Sequence, residues 1–127
     1  MAKILVVDDD LILGRLYKSA LENDGHEVVT AADGEEGLEK VKSFHPSFIL
    51  SDIMMPRMDG LTFLKKLKDA KETKDIPVIV MTNLNDEENA KIAEKDGALK
   101  LVLKNEQGPQ EVVKLIKEVL NSGTTSF

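Results

Sequence analysis

The residues able to do chemistry are three consecutive aspartates, Asp8, Asp9 and Asp10, with Asp52, Thr82 and Lys104 further along; each stands at the end of a short apolar run. Adjacent carboxylates repel one another and resist burial. Asp8, Asp9 and Asp52 taken with Lys104 carry a formal charge of -2, which one divalent cation would neutralise. Oxygen ligands without sulfur or imidazole favour Mg2+, which binds a few protein oxygens, keeps several waters and shares a phosphate readily. A cation of this kind, an ammonium and a hydroxyl together suit a phosphoryl group, and a carboxylate can accept one as an acyl phosphate. Asp52 is the better acceptor, because it stands alone after "PSFILS" whereas Asp8 and Asp9 come as a ligand pair. Asp10 needs no role beyond capping the helix that follows.

These residues must be brought together by the elements that carry them. Strands are expected at residues 3–7, 27–31, 47–51, 77–82 and 99–103, each followed by a segment of helical period. Such alternation marks a parallel sheet covered on both faces. Leu13, Leu16, Tyr17, Ala20 and Leu21 give the first helix one apolar face, which stops at Gly25. Gly37, Leu38 and Val41 mark a second helix; Leu61, Leu64 and Leu67 mark a third, capped by Asp59. The fourth, residues 86–95, offers only Ala90, Ile92 and Ala93 to the sheet, so it is expected to be weakly held and to move most. The fifth opens at Pro109 and buries Val112, Val113, Ile116, Val119 and Leu120. Five such units make one doubly wound α/β domain of three layers over residues 1–121, with a polar, frayed tail at 122–127. In this architecture the loops after the strands share one edge, where ligands bind.

Composition narrows the function. The 127 residues suit one domain with a real core. No cysteine is present and the two histidines, His26 and His45, read as ordinary loop residues, which argues against thiolate or transition-metal chemistry. A net charge of -6 disfavours direct nucleic-acid binding. With no membrane-spanning run and no signal peptide legible, a cytoplasmic location is expected.

The motifs "ILVVDDD", "SDIMMPRMDG", "PVIVMT", "DGA" and "LKLVLK", in this order over residues 3–120, resemble a receiver domain of the two-component response regulator family. The resemblance implies a flavodoxin-like sheet of order 2-1-3-4-5. It implies that Asp52 accepts a phosphoryl group from a sensor histidine kinase or a histidine phosphotransfer protein. Asp8 and Asp9 would hold Mg2+ together with Asp52 and the backbone carbonyl of Met54, Asp9 directly and Asp8 partly through water. Thr82 would hydrogen-bond the phosphoryl group and carry the switch, and Lys104 would pair with its charge. The output face would be the fourth helix, fifth strand and fifth helix. Without an effector domain in it, the chain resembles stand-alone receivers that dock on a partner or relay phosphate; an N-terminal domain of a longer protein is the alternative.

The sequence also departs from the family pattern. Asn105 replaces the usual proline after Lys104, Leu101 replaces the usual inward-swinging aromatic, and Asn83 replaces a small residue after Thr82. Met54 and Leu84, two residues past Asp52 and Thr82, are both apolar, so self-dephosphorylation is expected to be slow. Three rival readings each meet an obstacle in the sequence. A degenerate receiver that only binds is opposed by the complete set of site residues. A small aspartate-nucleophile phosphohydrolase would need covering elements that this length barely permits. A flavin site would meet three acids where a phosphate loop is required.

Overall fold

A computed structural model describes residues 2–82, 86–104 and 108–121. Five strands, β1 (Lys3–Val7), β2 (Glu27–Ala31), β3 (Phe48–Asp52), β4 (Val78–Thr82) and β5 (Lys100–Leu103), alternate with five helices. The helices are α1 (Leu11–Asn23), α2 (Gly34–Phe44), α3 (Gly60–Asp69), α4 (Glu87–Lys95) and α5 (Pro109–Asn121). All strand pairs are parallel, in the order β2-β1-β3-β4-β5.

The three central strands are buried on both faces, as a doubly covered sheet requires. Successive residues point to opposite sides. Ile4, Val6, Phe48, Leu50, Ile79 and Met81 pack on α1 and α5 through Tyr17, Leu21, Val112 and Ile116. Leu5, Val7, Ile49, Val78 and Val80 pack on the other side with Val41, Phe63, Leu64, Leu67 and Ala93. Each fully buried aliphatic side chain contributes about 1.5–3 kcal/mol, so the sheet that carries the site is rigidly founded.

Local chemistry sets the helix starts on the edge where the strands end. Asp10, Asp33 and Asp59 each accept a hydrogen bond from the backbone N–H three residues on, at Leu13, Glu36 and Thr62. Gly25, at φ 92, follows the last turn of α1, a left-handed position that favours glycine.

Some boundaries and faces differ from the sequence reading. β3 starts and ends one residue later than expected, which puts Asp52 inside the ladder opposite Met81 rather than after it. Leu16 is half exposed, because α1 meets the sheet and α5 through the narrower stripe of Tyr17, Ala20 and Leu21. His26 is no ordinary loop residue; its Nδ1 accepts a hydrogen bond from the Ala2 N–H in a largely buried position. α4 has Ala93 as its one fully buried residue, and Ile92 faces solvent. The tail at 122–127 lies outside the described residues.

Candidate functional site

Strand ends bring the acids together. β1 delivers Asp8, whose backbone N–H donates to the Ala31 carbonyl, and β3 delivers Asp52 in the adjacent strand. Carboxylate oxygens of Asp8, Asp9 and Asp52 lie within 4.8 Å of one another, with Asp8 and Asp52 buried and Asp9 exposed. Asp10 stands apart and caps α1, as the sequence suggested.

Lys104, in the turn after β5, reaches both buried acids. Its Nζ is 3.1 Å from Asp52 Oδ2 and 3.3 Å from Asp8 Oδ2. The remaining oxygens are oriented by backbone donors: Asp10 N–H to Asp8 Oδ1 at 2.9 Å, and Ile53 N–H to Asp52 Oδ1 at 2.9 Å. Thr82 is buried at the end of β4, and its carbonyl accepts the Lys104 N–H at 2.9 Å, so the two residues share one backbone anchor.

Burial pushes the carboxyl groups of Asp8 and Asp52 above the ordinary carboxylate range, and the hydrogen bonds and Lys104 offset this only in part. Burial opposes the charge on Lys104 as well. Asp52 and then Asp8 outweigh it and hold the ammonium above its usual value. The pocket therefore carries more negative charge than one lysine balances. A hard cation fits this donor set, since three carboxylates lie close together and, among the described residues, the group contains no thiolate or imidazole.

The segment after Asp52 is shaped by contacts that the sequence reading did not foresee. The Gly60 N–H donates to the Ile53 carbonyl at 2.7 Å, closing a six-residue loop, and a Cβ at Gly60 would overlap the Asp52 carbonyl oxygen. The phosphoacceptor candidate thus rests directly against the first residue of α3. Met54 follows Ile53 in this loop with 59% of the residue exposed. At the loop tip Arg57 pairs with the buried Asp33, which caps α2. The only sequence signal was Asp33 three residues before Glu36, a capping pattern. Leu101 is partly buried in β5 and packs with the α2, α3 and α4 side of the core. Asn83, Leu84 and Asn105 lie outside the described residues.

Comparison with known proteins agrees with this geometry. Residues 4–117 match the response regulator receiver domain, and the chain belongs to that family. The chain is 35% identical over 118 residues to the alkaline phosphatase synthesis transcriptional regulatory protein PhoP of Bacillus subtilis, covering 93% of this chain and 48% of that protein. It spans about half or less of the length of such curated relatives. Among solved structures, a CheY-like receiver domain protein from Methanospirillum hungatei superposes with a TM-score of 0.86 at 31% identity, over 96% of this chain and 95% of the other. The chemotaxis response regulator CheY4 of Vibrio cholerae gives 0.85 at 32% identity, over 94% and 98%. The chain is thus a receiver domain of the CheY-like fold, a module of phosphorylation-based two-component signalling that acts as a switch. Among the described residues no helix is long and apolar enough to cross a membrane.

Proposed function

We propose that this receiver takes a phosphoryl group onto Asp52 from a phosphohistidine of a sensor histidine kinase or histidine phosphotransfer protein. The observation that carries the reading is the convergence of Asp8, Asp9 and Asp52 with Lys104 bridging the two buried acids. One carboxylate oxygen of Asp52 attacks phosphorus, the P–N bond breaks, and the imidazole leaves with the bonding pair. Donors from Ile53 and Lys104 hold the Asp52 carboxylate for that attack, since its Oδ1 accepts from the Ile53 N–H and its Oδ2 from the Lys104 ammonium. Asp8, Asp9, Asp52 and the Met54 carbonyl are the residues that would hold Mg2+. When bound, Mg2+ supplies positive charge to phosphoryl oxygens in the transition state.

Forming the acyl phosphate replaces about one negative charge with about two. Lys104 therefore favours product as well as transition state, and the Thr82 hydroxyl donates to a phosphoryl oxygen. Because the backbones of Thr82 and Lys104 are joined by a hydrogen bond, movement of either is passed to the other, between the ends of β4 and β5. The output surface is the face of α4, β5 and α5, where α4 is held through little more than Ala93. The protein acts in the cytoplasm on a downstream protein, with no direct contact to nucleic acid.

Amide spectra recorded before and after phosphorylation by a phosphohistidine donor test this. Larger shifts in residues 86–104 than in α2, absent in Asp52→Asn, are expected. Equal shifts in both regions would contradict the output face, and shifts that persist in Asp52→Asn would contradict the acceptor.

A further inference from the structure

The loop between β3 and α3 is held at its tip by a pair of residues outside the cluster of Asp8, Asp9 and Asp52. Asp33 is buried, with 1% of its surface exposed. Its Oδ1 accepts the Glu36 N–H at 3.0 Å and caps α2, which would leave Oδ2 buried without a partner. Arg57 supplies that partner twice, with Nε and Nη2 each 2.7 Å from Oδ2. These are short, charge-assisted bonds of the strong class. The guanidinium is otherwise largely exposed, so nothing but Asp33 is needed to explain where it points.

The backbone at Arg57 has to bend to make this contact. Arg57 sits at φ 62, and the Met58 N–H donates to the Pro56 carbonyl at 2.7 Å across it, a three-residue turn with a left-handed centre. Such a turn is uncommon at a residue with a side chain and persists where its surroundings enforce it. A second tie lies beside the ion pair: the Gly34 N–H donates to the Met58 carbonyl at 2.9 Å, and Gly34 has no room for a Cβ against Met58. With Gly60 closing the base on Ile53, residues 54–59 are pinned at both ends.

We infer that Arg57 and Asp33 are positioning residues for metal binding: their ion pair fixes the loop that presents the Met54 carbonyl, and so sets the affinity of the site for Mg2+. The inference rests on the reading of Met54 as a ligand given above. Partners that orient a ligand without touching the metal typically change affinity by about 10–100-fold, and a loop held at two points falls at the lower end.

Two substitutions separate the pair from its local structural duties. Asp33→Asn retains a capping oxygen for α2 but sets an amide or a neutral oxygen against Arg57. Arg57→Gly accepts the left-handed turn without strain and removes the side chain, with a freer backbone at that one residue, so agreement with Asp33→Asn is what assigns the effect to the ion pair. Calorimetric Mg2+ titration of the full chain, the two variants and the double variant is the test, with thermal midpoints measured alongside. The pair predicts an affinity loss of about tenfold in each single variant and no further loss in the double. Unchanged affinity in both singles, whatever happens to the midpoints, would overturn the positioning role while leaving the phosphoacceptor site intact. Failure of the parent itself to bind Mg2+ would overturn the functional reading and this inference together.

Discussion

The Lys104 ammonium lies 3.1 Å from Asp52 Oδ2, a contact between residues 52 positions apart that is made by a side chain only 17% exposed. The same nitrogen reaches Asp8, so one cation serves two buried acids whose charge burial disfavours. In Lys104→Met both carboxylates lose this partner. Stability without Mg2+ is expected to fall by about 2–3 kcal/mol, below the cost for a fully buried pair because the mouth of the pocket is open to water. Mg2+ should bind more tightly than in the parent, since an ammonium no longer competes for the same oxygens. Thermal denaturation at rising Mg2+ concentration reads both effects.

Gly60 is where a methyl group would do most damage for its size. A Cβ there overlaps the Asp52 carbonyl oxygen, and the strand end, the start of α3 or both must shift. Gly60→Ala is expected to cost about 3 kcal/mol, the upper end of the range of about 1–3 kcal/mol for forcing atoms into a packed site. It should also lower the rate of phosphoryl uptake, because Asp52 is the residue displaced. Chemical denaturation and the initial rate of labelling measure the two separately.

The Asp33 and Arg57 pair has a pH signature. The Glu36 N–H, followed by Arg57, holds the Asp33 carboxyl below its ordinary value of 3.8. A group whose pKa is lower in the folded chain adds stability above its unfolded pKa and loses it as pH falls through the folded value. The parent should therefore be more stable than Asp33→Asn near pH 6, and the gap should narrow as pH falls below the ordinary carboxyl value of 3.8. A gap that is constant across this range would contradict the ion pair.

Phosphoryl lifetime tests the apolar cover. Met54 and Leu84 occupy, in sequence, the two positions that tune access of water in the family, and neither side-chain type can orient it. Met54→Asn combined with Leu84→Glu should shorten the lifetime several-fold relative to the parent, followed by loss of the phosphorylated mass with time. A lengthened lifetime would contradict slow self-dephosphorylation.

What was legible in the sequence divides along physical lines. Strand ends and caps depend on local chemistry, so Asp10 and Asp59 as caps, Pro109 as the opening of α5 and the clustering of Asp8, Asp9 and Asp52 on one edge were all readable. Leu16 was misread because periodicity gives the apolar stripe but not its width against a particular neighbour. The hydrogen-bond partner of His26 Nδ1 is the Ala2 backbone, 24 residues away, and no local pattern encodes it. Arg57 illustrates the same limit at the site. An arginine in a polar loop reads as solvated, and only the tertiary placement of Asp33 gives it a partner. Asp59-Gly60 has the composition of a turn, while the need for glycine at position 60 comes from the Asp52 backbone pressed against it.

The central claim is that Asp52 is the phosphoacceptor of a Mg2+-dependent switch. Intact mass after incubation with acetyl phosphate, with and without Mg2+, on the parent and on Asp52→Asn, tests it most directly. The account predicts a gain of one phosphoryl group that requires both Mg2+ and Asp52. A gain that survives Asp52→Asn or removal of Mg2+, or no gain under any condition, would contradict it, and in the last case a phosphate-independent binding role would take its place.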